Sequence, residues 1–538
     1  MSIKHASLTG ALLTCLFTST AWSSDSQGPL HIEKSINNTA PATISIVLHK
    51  DEYITGKFKT THEKSSLSLW KDGKTVKLLS TNGRERFSFV SHEQGKYTFT
   101  VTASDDDKFT LTIAKPESAY QTTQIQIASQ AEPSSPLVKT ALQTYQNTQS
   151  TLSFWQTLSR QGTPLIEPID DNQSLVTFLW KGAQRNVRIL GAPSSDHDPL
   201  YRLGNSDIWF RSYVLPNDTR LSYQMAPDVP ELPKQHPEHR VSILSTAQKD
   251  PLNPHIMEIY DSNKPSDQFS QLSTLSLPQA KQSPWLTEQS AAKGQLTHTT
   301  FYSELLDNTR KITIYQPAGL DQLTRNNAQT TFPLAIFFDG QAYQHKIPTP
   351  RILDNLINAK QIPPTLAVFI DNPSRETRSS ELPCNPIFAK ALAKELLPWI
   401  TQQTKYSFVP ETTLLSGSSY GGLASACTAF AYPDNFGLVL SQSGSFWWAP
   451  VDEPPEWLTR QIEHLPTKPI RFYINAGVFE TGRGTIDILE SNRHLHNLLQ
   501  TKGYTATYEE YSGGHDYYQW RNNLAKGLIS LLGKKPSD

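Results

Sequence analysis

A serine sits between glycines in Gly417-Ser418-Ser419-Tyr420-Gly421. The apolar run Thr412-Thr413-Leu414-Leu415 precedes it, and the small-residue stretch Gly422-Leu423-Ala424-Ser425-Ala426-Cys427 follows. The pattern predicts strand, sharp turn, helix. Such a turn lifts one hydroxyl clear of a sheet, and its glycines allow the tight bend and the close approach of helix to strand. Ser419 is therefore the candidate nucleophile. A serine hydroxyl needs a neighbouring base to take its proton. His515, in Gly513-Gly514-His515-Asp516 after the strand-like run 505–511, is the candidate base. Neutral imidazole accepts a proton near pH 7.

An acid that orients the histidine must leave a strand between these two residues. Arg471-Phe472-Tyr473-Ile474-Asn475 reads as that strand, with Ala476-Gly477-Val478-Phe479-Glu480 as its exit. Glu480 is the first candidate and Asp487 the second. A developing oxyanion needs preorganised donors. One is the backbone N–H of Tyr420. The other comes from the exit of the apolar run Leu334-Ala335-Ile336-Phe337-Phe338, at Gly340 or Gln341. The chain order of nucleophile, acid and histidine is that of the α/β-hydrolase fold.

Further strings carry a family resemblance. They are Asp339-Gly340, Arg378-Ser379-Ser380-Glu381-Leu382-Pro383-Cys384-Asn385, Ser441-Gln442-Ser443-Gly444-Ser445-Phe446-Trp447-Trp448, and Gly513-Gly514-His515-Asp516 with Trp520. Upstream stand Phe154-Trp155, Gly162-Thr163-Pro164-Leu165, Thr177-Phe178-Leu179-Trp180, Asp207-Ile208-Trp209, Arg220-Leu221-Ser222-Tyr223 and Asp250-Pro251-Leu252-Asn253-Pro254. From about residue 140 to 530 the chain resembles the enterochelin (enterobactin) esterase family, which cleaves catecholate siderophores.

The resemblance implies a serine esterase acting on the trilactone of a ferric catecholate siderophore. Iron then belongs to the substrate, and neither metal nor cofactor serves the chemistry. A bulky aromatic trianion calls for cations and aromatic faces. Arg378 occupies the family's arginine position, with an ion pair to Glu381 as its structural alternative. Trp447, Trp448 and Trp520 are the aromatic candidates, and Arg375, Arg483 and Arg521 are further cations. Two other readings stand beside this one. A degenerate hydrolase would capture ferric siderophore without cleaving it. A feruloyl or carbohydrate esterase would use its β-domains to bind polysaccharide. Ester turnover separates the first, and cleavage of a catecholate trilactone the second.

The elements that must position these residues form three folded units. Residues 26–120 alternate polar and apolar, as in Ser66-Leu67-Ser68-Leu69-Trp70, with turn signals such as Asp72-Gly73. This predicts a small all-β sandwich similar to the prepeptidase-type domains of exported enzymes. Asp105-Asp106-Asp107 there reads as a solvated turn rather than a calcium loop. A helix over 140–158 leads into a second all-β unit, within 140–226. Residues 227–293 are rich in proline and polar residues and read as a linker. His236-Pro237-Glu238-His239 belongs to that linker rather than to a zinc site. The catalytic unit spans 294–535. Its apolar strands alternate with helical stretches such as 388–401, the signature of a mostly parallel sheet. The fold class expected is a C-terminal α/β-hydrolase preceded by two all-β sandwich-like domains.

The first residues add a compartment. Lys4 and His5 precede Ala11-Leu12-Leu13-Thr14-Cys15-Leu16-Phe17, and Ala21-Trp22-Ser23 resembles a cleavage site. A signal peptide over 1–23 and a periplasmic location are expected. The chain has 538 residues, with Lys+Arg 49 against Asp+Glu 50. That balance gives no basic excess to suggest nucleic acid or a membrane surface. No apolar run beyond the leader reaches the ~18 residues of a membrane span. Cys384 and Cys427 remain after the leader. In an oxidising compartment they form either a bridge or two separate buried thiols.

Overall fold

The computed structural model describes residues 22–533 except 24, 26–27, 63–64, 82–83, 122–128, 192, 195–196, 261–264, 288, 290, 321–330 and 483. The expected leader therefore lies outside the described residues except for Trp22 and Ser23, which pair with Ile46 and Val47 in parallel. The chain divides into two compact units.

The first unit is a sandwich of two sheets. Ala42–Leu48, Ser65–Lys71, Lys74–Ser80 and Gly95–Ala103 make most of one sheet. Leu30–Ile36, Glu52–Thr60, Arg84–Ser91 and Asp107–Ile113 make most of the other. Alternation along each strand sends one side chain in two inward, and Ile46, Leu48, Phe58, Leu67, Leu69, Phe99 and Leu111 meet there fully buried. Each such side chain stabilises the fold by roughly 1.5–3 kcal/mol. Asp107, one of the three turn aspartates, accepts from Thr61 N–H, His62 N–H and Ser65 Oγ. It ties its turn to another segment of the chain.

Two later segments, 229–246 and 264–270, belong to this unit. Leu232 packs with Tyr53, Val90, Ala119 and Tyr120. Lys77 donates from Nζ to the carbonyls of Ser88, Leu244 and Ser245 at 3.2, 3.0 and 2.9 Å. Burial pushes its pKa down to about 8. The region 227–293 is thus not a free linker. The histidines there have partners: His236 meets Glu117 at 3.1 Å, and His239 meets the Leu232 carbonyl. The composition misled because proline and polar residues also suit a chain lying flat over a sheet edge.

The second unit holds the other β-domain and the catalytic sheet. Its leading helix is two helices, Pro136–Thr148 and Leu152–Gln161, broken where Gln149 turns left-handed at φ 56°. Thr151 stands at the new start without a side-chain cap, and Ser150 Oγ, one residue earlier, accepts from Leu152 N–H at 3.3 Å. Ser and Thr offer the backbone this alternative to a continuous helix. The β-domain stacks Leu165–Pro168, Gln173–Lys181, Ile208–Pro216 and Tyr201–Arg202 on Val187–Gly191, Arg220–Pro227 and Ser273–Ser276. Val176, Phe178, Trp209, Tyr223, Met225 and Leu275 fill the space between. The last strand comes from the stretch expected as linker.

The catalytic sheet has eight strands: β1 Gln295–Ser303, β2 Asn308–Gln316, β3 Leu334–Phe338, β4 Leu366–Ile370, β5 Thr413–Ser418, β6 Leu438–Gln442, β7 Arg471–Gly477 and β8 Thr505–Tyr511. Their order is β1-β2-β4-β3-β5-β6-β7-β8. β2 runs antiparallel to both neighbours, and β3 to β8 are parallel. Both faces are covered, so β3, β4, β5 and β6 are buried at every position. This is the α/β-hydrolase fold, and the N-terminal sheets are all-β.

Cys384 and Cys427 are bridged, with Cα atoms 5.3 Å apart and a separation of 43 positions in sequence. Cys427 lies on helix α1 (Tyr420–Ala431), which follows the candidate nucleophile. Closing a loop of that size constrains the unfolded chain by about 4 kcal/mol. Reductant is expected to lower the thermal midpoint of the wild type and to leave a Cys427→Ala variant unmoved. Equal shifts, followed by calorimetry, would refute a stabilising bridge.

Candidate active site

The candidate residues collect at the carboxyl ends of the parallel strands, where open α/β sheets carry their ligand sites. Ser419 follows β5 directly and begins α1 with φ 58° and ψ −122°. A non-glycine residue held there is strained. The surroundings enforce it. A Cβ on Gly417 would come within 2.6 Å of the Gly421 carbonyl carbon, and one on Gly422 would collide with Ser441 Oγ and Gly444 Cα. The backbone N–H of Ser419 donates to Gln442 O at 3.0 Å. Its hydroxyl lies 3.2 Å from Ser445 Oγ.

His515 reaches Glu480 from the loop after β8. Nδ1 lies 2.6 Å from Glu480 Oε1. A carboxylate only accepts, so the imidazole proton sits on Nδ1 and leaves Nε2 as a base. The other oxygen, Oε2, accepts from Gly477 N–H at 2.6 Å and Ser443 Oγ at 2.7 Å. The Glu480 side chain is 1% exposed and that of His515 32%. The acid is sealed in while the base opens to the surface. No hydrogen bond joins His515 to Ser419 among the described residues; such contacts tighten when substrate enters. Asp487 makes no hydrogen bond to His515 among the described residues. It caps helix α2 (Ile488–Thr501) by accepting from Glu490 N–H at 2.9 Å.

Behind this pair lies support that the sequence did not disclose. Tyr511 Oη and Ser443 Oγ are 2.7 Å apart, and Trp520 Nε1 donates to both at 2.9 Å. Trp520, on helix α3 (Tyr517–Leu532), is 2% exposed and sets its ring edge-on to His515 at 4.8 Å. The expectation that Trp520 faces substrate is corrected: it is a core residue that seats the histidine.

The oxyanion candidates stand at helix starts. Tyr420 opens α1, and Gly340 and Gln341 open the short helix Gly340–His345 after β3. The N–H groups of a first helical turn have no intrahelical acceptor. Gly340 is pressed against β4, where a Cβ would meet Ile370 N at 2.7 Å.

Arg378 does not pair with Glu381. Its guanidinium forks onto Asp339, Nε to Oδ1 at 2.7 Å and Nη2 to Oδ2 at 2.8 Å. Glu381 instead pairs with buried Arg310 at 3.1 Å. Arg378 keeps 28% of its side chain exposed and lies over the Tyr420 ring at 5.8 Å. Trp447 flanks that ring at 6.3 Å, while Trp448 packs edge-on to Trp457 and against the core. Arg375 is exposed; Arg521 is buried against Tyr518 and donates to Glu258 O. Arg483 lies outside the described residues. Lys346, which the sequence reading passed over, sets Nζ 4.8 Å from the Tyr517 ring centre, and burial pushes its ammonium below the usual lysine range.

The strand order and the strained serine at the end of β5 define a protein of the α/β-hydrolase class. Residues 303–531 match the family described as putative esterase, and residues 175–286 match the enterochelin esterase N-terminal domain. An iron(III) enterobactin esterase of Dickeya dadantii (strain 3937) is 31% identical over 420 residues, 71% of this chain and 92% of that protein. The one from Escherichia coli (strain K12) is 27% identical over 404 residues, 70% and 96%. The crystal structure of the Shigella flexneri enterobactin esterase in the presence of enterobactin has a TM-score of 0.55 at 28% identity, covering 70% of this chain and 97% of that one. The chain belongs to the enterochelin esterase family.

Proposed function

We propose that the protein is an exported serine esterase that hydrolyses the trilactone esters of ferric catecholate siderophores such as enterobactin. The observation that carries this reading is the Ser443–Glu480–His515 chain set beside the Ser419 turn, in a sequence aligned over most of its length with iron(III) enterobactin esterases. Ser419 Oγ attacks the ester carbonyl and His515 Nε2 takes its proton. Glu480 holds the imidazole in its working tautomer and stabilises the imidazolium. The N–H groups of Tyr420 and of Gly340 or Gln341 receive the oxyanion. His515 returns the proton to the leaving hydroxyl, and water then releases the acyl group. Opening the macrocycle removes its preorganisation, so iron is held less tightly.

Arg378, Tyr420 and Trp447 suit the anionic, aromatic ligand. The Asp339 carboxylate on Arg378 tempers its charge, so shape and stacking share the recognition. Export is supported by the leader-like residues and by the Cys384–Cys427 bridge, which is stable in an oxidising compartment.

The test is a panel of ferric and iron-free enterobactin beside a feruloyl sugar ester, followed by chromatography. Linear dihydroxybenzoyl-serine fragments are expected from enterobactin. Turnover of the feruloyl ester alone would refute the substrate assignment. Intact mass of protein taken from the cell envelope should lack residues 1–23; a mass that keeps them would refute export.

A further inference from the structure

The loop that carries His515 is held from behind by the β-domain. Asp516, the next residue, is buried and accepts from Ser222 twice: from its backbone N–H at Oδ2 and from its hydroxyl at Oδ1, 2.8 Å away. Oδ1 also accepts from Tyr518 N–H at 2.8 Å, so the same carboxylate starts helix α3. Ser222 lies on Arg220–Pro227, a strand of the β-domain, 294 residues earlier in sequence.

Neighbouring contacts continue the seam. Arg220 N–H donates to Ser512 O at 3.0 Å, and its guanidinium reaches Tyr518 Oη at 3.1 Å. A Cβ on Gly513 would come within 2.9 Å of Arg220 O, so the loop lies flush on the strand. The acid loop leans the same way: Phe479, beside Glu480, packs on the β-domain core, and its N–H donates to Gly513 O at 3.1 Å. Both loops of the His515–Glu480 pair therefore rest on one strand and one core that lie outside the catalytic sheet.

We propose that Ser222 is a positioning residue: through Asp516 it fixes the His515 loop, which makes the β-domain a working part of the catalytic apparatus. The proposal rests on the reading of Ser419, His515 and Glu480 given above. Ser222 touches no reacting atom. Its hydroxyl and N–H occupy both Asp516 oxygens, and Asp516 in turn fixes where the backbone delivers the imidazole. A shift of about 1 Å in a catalytic group is enough to cost on the order of 100-fold in rate.

The test uses the full chain and a small neutral ester, p-nitrophenyl acetate, which needs no siderophore contacts. Ser222→Ala is expected to lower kcat about threefold to tenfold with KM within about twofold, since one hydrogen bond to a charged group is lost. Asp516→Asn, which presents an amide to both Ser222 donors, is expected to lower kcat about 30- to 100-fold. The double variant should lose no more than Asp516→Asn alone, because the two residues act as one unit. Phosphonylation of Ser419 by a fluorophosphonate should slow in parallel.

Unchanged kcat in Ser222→Ala, a rise in KM alone, or losses that multiply in the double variant would each overturn the proposal. If Asp516→Asn does not fold, Ser222→Ala decides by its split between kcat and KM. An active Ser419→Ala enzyme would instead defeat the underlying site assignment. A dead Ser419→Ala beside an unaffected Ser222→Ala defeats only the clamp.

Discussion

Ser419→Ala is expected to lower kcat for enterobactin by on the order of 10⁴- to 10⁶-fold while the folded protein still binds the ferric ligand. Nucleophile, base and acid act as a unit, so removing one forfeits nearly all that the set supplies, and only the oxyanion donors and substrate binding remain. Those donors are backbone groups at helix starts, which the substitution leaves in place. Alanine also removes the hydroxyl that lies by Ser445 without unseating the turn, whose backbone is fixed by Ser419 N–H to Gln442 O and by the crowding of Gly417 on Gly421. Stopped-flow quenching of tryptophan fluorescence reports binding, and chromatography reports turnover. Turnover within tenfold of wild type would show that the ester bond is broken elsewhere.

The second large effect concerns the acid. Glu480→Gln is expected to lower kcat by on the order of 10³- to 10⁴-fold, less than His515→Ala. The glutamate presents acceptors to three donors: His515 Nδ1–H, Gly477 N–H and Ser443 Oγ–H. An amide has one acceptor oxygen. If that oxygen keeps Gly477 and Ser443, its NH₂ faces Nδ1, and the imidazole must carry its proton on Nε2, where it cannot serve as base. Asp487→Ala, by contrast, should leave kcat within about threefold and cost about 1 kcal/mol of stability, the usual value of a helix cap. If Asp487→Ala proves the more damaging change, the acid has been misassigned.

The parts of the site legible in the sequence are those fixed by local spacing. The turn at Ser419 is encoded by residues within five positions of one another, and its glycines answer to steric demands that the structure exhibits at Gly417 and Gly422. His515 and Glu480 followed from chain order, because a parallel sheet delivers strand exits to one edge. Partner choice was not legible. Arg378 had Glu381 three residues away and Asp339 at a distance of 39, and the distant carboxylate won because the β3 exit places it beside the guanidinium. Nor did the sequence reveal that Trp520, Ser443 and Tyr511 form one hydrogen-bonded cluster behind the histidine, since the tryptophan's aromatic character suits substrate and core equally. The segment 227–293 was misread for a related reason: its composition describes exposure, while its place in the fold depends on the surfaces it meets.

That segment bears on how the chain is made. The first sandwich takes its strands from residues before 120, yet Leu232 and the carbonyls that receive Lys77 belong to residues 229–246, with more of the same unit at 264–270. A chain emerging from its N-terminus at about 5–20 residues per second presents the strands first and the covering segment roughly 5–30 s later. Through that interval Tyr53, Val90 and Tyr120 have no Leu232 beside them, and the Lys77 amine has only water in place of two of its carbonyls. A fragment ending near residue 125 would live permanently in that unfinished condition, with a greasy patch open to chaperones and to other nascent chains. Excising this sandwich as a single continuous piece would therefore yield an incomplete body, and a faithful fragment must extend past residue 270.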